Sequence, residues 1–160
     1  MFATLANSLP TPLRNLLARV GMDFEARGRP NIFLVAVAIV AASISSIGAD
    51  IVLVKLGVRF LHAPKNYSHF VFSDFATLTV IGVVGAGFAW PFVAGLSSRA
   101  QFLYRNLAIL VTLVLLAPDA YIWLKGEPLR CVTVLVGMHL AIGVVTYLIV
   151  VSVAPIRRLR

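Results

Sequence analysis

Apolar residues in this chain run in long, nearly uninterrupted stretches, not at the alternating spacing of half-buried strands. Crossing a hydrocarbon core of ~30 Å takes about 20 mainly apolar residues as helix, and four stretches are long enough. The first follows Pro30-Asn31: Ile32 to Ala49 carries no formal charge, and apolar character continues past Asp50 to Val54. The second runs from Phe70 to Val93 with Asp74 near its start, and the third from Leu103 to Leu124 with Asp119 near its end. The fourth, Leu129 to Val153, holds only Arg130 and the titratable His139. The pattern predicts an all-α membrane four-helix bundle, with spans over about 31–54, 70–93, 103–124 and 129–153.

Residues 1–30 form a separate segment. They lack the continuous apolar run and cleavage site of a signal peptide. Thr11-Pro12 reads as a helix start, with proline at the first helical position. Leu13, Leu16, Leu17 and Val20 then recur at i, i+3, i+4 and i+7, with Arg14 and Arg19 off that stripe. This predicts a short amphipathic helix lying in the membrane interface, the alternative being a helix that packs on a soluble partner. Residues 156–160 form a basic tail.

Composition agrees. Of 160 residues 60% are hydrophobic and only 12% charged, about half the charged share of soluble domains, and mean hydropathy is +0.95. That leaves too little polar surface for a water-soluble globule. The net charge of +8 would suggest nucleic acid in a soluble chain. Here membrane topology explains it, and no nucleic-acid partner is expected. Arg14, Arg19, Arg27, Arg29, Arg99, Arg105, Arg157, Arg158 and Arg160 fall on the side of the termini, whereas Lys55, Arg59, Lys65, Lys125 and Arg130 fall on the other. The positive-inside rule then places both termini in the cytoplasm of a plasma-membrane protein. Trp90, Tyr104, Tyr67, Tyr121 and Trp123 fall near the expected interfaces, where amphipathic rings settle.

Small residues supply the packing logic. Ala38, Ala42 and Ser46 repeat every fourth position in the first span, as do Ala41, Ser45 and Ala49. Gly82 with Ala86, Gly85 with Ala89, and Thr133 with Gly137 and Ala141 continue the pattern. Such spacing lets helix backbones approach where lipid provides no hydrophobic drive, and more small faces than one bundle needs would point to partners.

Acidic residues are the most informative asymmetry. Asp23 and Glu25 lie on the side of the termini; Asp50, Asp74, Asp119 and Glu127 lie on the other. Asp50, Asp74 and Asp119 fall about one turn inside the expected boundary of three different spans, with His139 one to two turns deeper. These four are the candidate proton, cation or substrate site, because ionisable groups in lipid must pair, face water or become neutral. Each also has a structural reading. Asp74 after Ser73 suits a helix N-terminus, Asp119 follows the helix-disrupting Pro118, Asp50 could pair with Lys55 or Arg59, and His139 could bond across one helix contact. His139, Gly143, Thr146 and Tyr147 share a face of the fourth span, and Thr112 aligns with Asp119 in the third.

Little else carries chemistry. The lone Cys131 excludes an intrachain disulfide, and His62 and His69 are not at a recognised metal spacing. No H-E-x-x-H, G-x-S-x-G, P-loop or C-x-x-C occurs, so no catalytic residue, metal or cofactor is expected, and the chain reads as a non-enzyme. Faint internal echoes (Ala49-Asp50 with Pro118-Asp119, and Trp90-Pro91 with Ala154-Pro155) fit either duplicated hairpins or chance.

Ala49-Asp50, Ala89-Trp90-Pro91, Pro118-Asp119 and Met138-His139-Leu140, in that order over about residues 31–155, resemble an uncharacterised family of small four-span bacterial membrane proteins. The resemblance implies the four-helix architecture and cell-membrane residence, and no reaction or ligand. The leading expectation is an accessory or scaffolding subunit that packs against another membrane protein or its own copies. The alternative is a small oligomeric transporter or channel that uses the Asp/His cluster.

Overall fold

A computed structural model describes residues 10–26 and 28–158. Residues 1–9 of the expected interfacial segment, Arg27, and the last two residues of the basic tail lie outside that range. The described residues form a short helix α1 (Thr11–Arg19), a strand β1 (Gly28–Pro30), four long helices, and a strand β2 (Ile156–Arg158). The long helices are α2 (Ile32–Phe60), α3 (Phe72–Leu96), α4 (Ala100–Leu124) and α5 (Leu129–Val153), and each is long and apolar enough to cross a bilayer.

The helices run up, down, up and down. α2 packs most extensively on α5 and also on α3, α4 packs on α5, and a lighter α3–α4 contact closes the ring. The core has two parts. Near the termini, Val35, Ala38, Trp90, Val93, Leu103, Tyr104 and Val150 cluster. At the opposite, far end, Tyr67, Phe70, Phe75, Cys131, Val134, Leu135 and Met138 cluster, so the α2–α3 loop folds back over the bundle.

Local chemistry sets the helix ends. The Asn31 side chain accepts a 2.9 Å bond from Phe33 N–H and caps α2. α2 runs six residues past the expected Val54, since no breaker intervenes and Gly57 lets the helix lie directly on Val134, where a Cβ would collide. It stops where the Leu61 and Ala63 N–H groups both donate to the Gly57 carbonyl, with His62 left-handed at φ 55° and Pro64 next. At 1.5 Å per residue α2 spans about 43 Å, beyond the ~30 Å core, so its last turns leave the hydrocarbon. α4 starts three residues earlier than expected, after a tight turn at Ser97–Arg99.

The strands had no counterpart in the sequence pattern. Gly28 pairs with Arg158, Arg29 with Arg157 and Pro30 with Ile156, antiparallel. This joins the start of α2 to the end of α5. A Cβ on Gly28 would run into the Arg157 carbonyl, so glycine is required there. α1 has no buried residue, and Leu13, Leu16 and Val20 stay exposed, an unpartnered apolar stripe.

Three aromatic expectations need correction. Trp90 and Tyr104 are 0% and 4% exposed, inside the bundle and not at its lipid boundary. The Trp90 indole donates to the Ala154 carbonyl at 2.8 Å, and the Tyr104 hydroxyl donates to the Ala86 carbonyl at 3.0 Å. A polar tip with an internal partner can be buried. Tyr67, in the far loop, is buried too but its hydroxyl has no partner among the described residues, while Tyr121 and Trp123 are exposed as expected.

Candidate functional site

The candidate residues divide. His139 Nδ1 on α5 lies 2.9 Å from Asp119 Oδ2 on α4, the one ion-pair contact among the described residues. The same Nδ1 is 3.1 Å from the Leu135 carbonyl oxygen. Both neighbours are acceptors, so the proton sits on Nδ1 and leaves Nε2 to accept or bind a second proton. The N–H aligns on the carbonyl. Asp119 Oδ2 therefore lies beside the ring N–H without an aligned hydrogen bond. Asp119 is almost fully covered, whereas the His139 side chain keeps 30% of its surface open.

Asp50 sits on the other flank of α5. It is fully buried, and Thr79 on α3 donates a 2.8 Å bond to its Oδ2. Pairing with Lys55 or Arg59, open in the sequence, does not occur: α2 turns Asp50 inward while Lys55 and Arg59 stay exposed. Gly137 on α5 faces Leu53 on α2. Three residues further along each antiparallel helix, Asp50 stands level with Leu140. Asp50, Asp119 and His139 thus share one layer, and His139 is within electrostatic reach of Asp50.

Asp74 does not join them. It is exposed in the first turn of α3, where Ser73 donates to it at 2.9 Å. Nor does it cap the helix, which begins without a side-chain cap. Its position near the positive end of the helix dipole is favourable for a carboxylate.

One α5 face is the α4 contact, as its spacing suggested. His139 meets Asp119, Gly143 lies where a Cβ would collide with Thr112, and Tyr147 stacks 5.9 Å from Tyr104. Around the layer, Asp50 Oδ1, Ser46 Oγ and Thr146 Oγ1 are buried without a hydrogen-bond partner.

The packing residues also divide. Ala38, Ala42 and Ser46 are fully buried in α2. Gly137 faces Leu53, whose side chain would lie 3.8 Å from an added Cβ, Ala86 offers its carbonyl to Tyr104, and Ala141 is half-buried. Gly82 is the exception: it is exposed, and a Cβ added there would meet nothing within 4 Å, so it packs nothing inside this bundle. Gly85 and Gly48 are alike in both respects.

Two features escaped the sequence pattern. Thr79, the partner of Asp50, had one signal, a hydroxyl at matching depth on the neighbouring span. The other is a latch beside the termini. Asp23 accepts from the Ser98 amide at 2.8 Å, from the Ser98 hydroxyl, and from the Glu25 amide at 3.0 Å. Ser97 Oγ donates to the Gly21 carbonyl, and Phe24 N–H to the Leu96 carbonyl at 2.9 Å. Burial alone would raise the Asp23 carboxyl, but these donors outweigh it and hold it below its ordinary value of 3.8.

Four such helices joined by short loops make this a multi-pass membrane protein. No known family, curated protein or solved structure matches the chain.

Proposed function

We propose that the chain is an accessory subunit of the plasma membrane, both termini cytoplasmic, which packs against another membrane protein and catalyses no reaction itself. One observation carries this reading: the bundle leaves a small-residue face unused. On α3, Gly82 and Gly85 are exposed between Leu78 and Ile81 on one side and Phe88 and Phe92 on the other, all more than half exposed. On the adjacent α2, Gly48 is exposed between Ile44 and Val52. A notch between large side chains admits a foreign helix backbone closely, which is how helices associate where lipid offers no hydrophobic drive. The Asp119–His139 contact then serves to hold α4 on α5.

A second reading, a small oligomeric transporter or channel, is favoured by the partnerless Asp50 Oδ1, Ser46 Oγ and Thr146 Oγ1 inside the bundle. Buried polar atoms in lipid call for a proton, a water or a cation. Two sets of variants separate the readings. The subunit reading expects Gly82→Leu and Gly85→Leu to abolish the chain's cellular phenotype while Asp50→Asn and His139→Ala retain it. The reverse pattern would replace it with the transport reading.

A further inference from the structure

At the far end, a groove of about 390 Å³ is lined by Val54, Lys55, Val58, Arg59 and Lys65. Its construction follows from the way α2 ends. Val54 and Val58 stand one turn apart, as do Lys55 and Arg59 beside them, giving the helix an apolar strip flanked by a cationic strip. The left-handed His62 and Pro64 then reverse the chain, and Lys65 returns to the same groove. The three cations are exposed, and none has a carboxylate within 4.0 Å, the Asp119–His139 contact being the only such pair among the described residues. Lys125, also at the far end, lies outside the groove, its ammonium 5.3 Å over the Tyr121 ring; Arg59 rests in a similar way 5.7 Å over Phe60 but lines the groove.

We propose that this groove seats one anionic phospholipid, its phosphate among Lys55, Arg59 and Lys65 and an acyl chain along Val54 and Val58. Charge complementarity argues for the phosphate, since three cations without a carboxylate partner line one groove where α2 leaves the hydrocarbon. The valine floor argues for a lipid rather than a free anion, because it continues the apolar surface of the span directly below the cations. Cationic residues beside a membrane attract anionic lipid headgroups, and the groove adds a defined seat.

The test uses the full chain in detergent micelles supplied with phosphatidylglycerol, phosphatidylcholine or inorganic phosphate, read by native mass spectrometry and thermal unfolding. One phosphatidylglycerol should be retained per chain and raise the unfolding temperature. Retention should drop at least tenfold in the Lys55→Gln, Arg59→Gln, Lys65→Gln variant and clearly in Lys65→Gln alone, whose loop position spares the helix. Lys125→Gln should retain it fully. Equal retention of phosphatidylcholine, undiminished retention by the triple variant, or an equal thermal shift from inorganic phosphate would each overturn the proposal. An acidic protein found in place of lipid would overturn it as well.

Discussion

His139 on α5 places Nδ1 2.9 Å from Asp119 on α4, across a helix pair otherwise joined by Gly143 against Thr112 and Tyr147 against Tyr104. α4 is the least embedded of the long helices: only 6% of its most apolar stretch is buried, against 22–33% in the others. Few apolar contacts hold it, so the polar one weighs more. His139→Ala leaves a buried carboxylate without the neighbouring ring N–H, which costs about 1–3 kcal/mol. Thermal unfolding in detergent should show the loss, with Asp119→Asn milder because it removes the buried charge while keeping the side chain's shape. Asp74→Asn, at an exposed helix start, should change little.

Among the described residues, Thr79 is the sole hydrogen-bond donor to Asp50. Thr79→Val keeps the shape and removes that donor, so it should destabilise by about 1–3 kcal/mol. Combined with Asp50→Leu, the loss should be smaller than the sum of the two, as expected for residues in direct contact. Additive unfolding data would dissolve the pair.

Glycines on the two faces should respond with opposite sign. Gly57→Ala and Gly143→Ala force a Cβ against Val134 and Thr112, and overpacking of this kind costs about 1–3 kcal/mol. Gly82→Ala meets nothing within 4 Å, so the isolated chain should gain up to about 1 kcal/mol from helix propensity. The same change should weaken any complex formed through that face.

The Asp23 latch is pH-dependent in a defined direction. A carboxyl held below 3.8 in the folded chain contributes stability that is complete above that value and is lost as pH falls through the lower, folded value. Exchange of the Ser98 amide should therefore accelerate at acid pH beyond the intrinsic trend. In Asp23→Asn that extra acceleration should vanish.

Topology has its own check. Asn66 lies in the far loop and Arg99 in the α3–α4 turn, and both are exposed. With buried Cys131 replaced by serine, a thiol reagent confined to the cell exterior should label Asn66→Cys and spare Arg99→Cys. The opposite result would invert the bundle.

The four spans were legible because lipid imposes one simple demand, some 20 apolar residues per helix, and α5 matches its expected bounds residue for residue. Boundaries set by backbone contacts were not: α2 outran Val54 because Gly57 fits Val134, a relation between residues far apart in sequence. The Asp119–His139 meeting was half legible, since shared depth can be counted along a helix while facing cannot. Asp74 missed on both counts, lying more than a turn nearer the far end than Thr79, which is level with Asp50, and on the exposed side. Trp90 shows the same limit, because its partner, the Ala154 carbonyl, is a backbone atom that every residue carries.

The subunit reading is tested most directly by the native mass and composition of the tagged protein, gently extracted at its normal expression level. The account predicts a stoichiometric foreign membrane protein that is lost in Gly82→Leu. A chain recovered alone, or only with copies of itself, would contradict it.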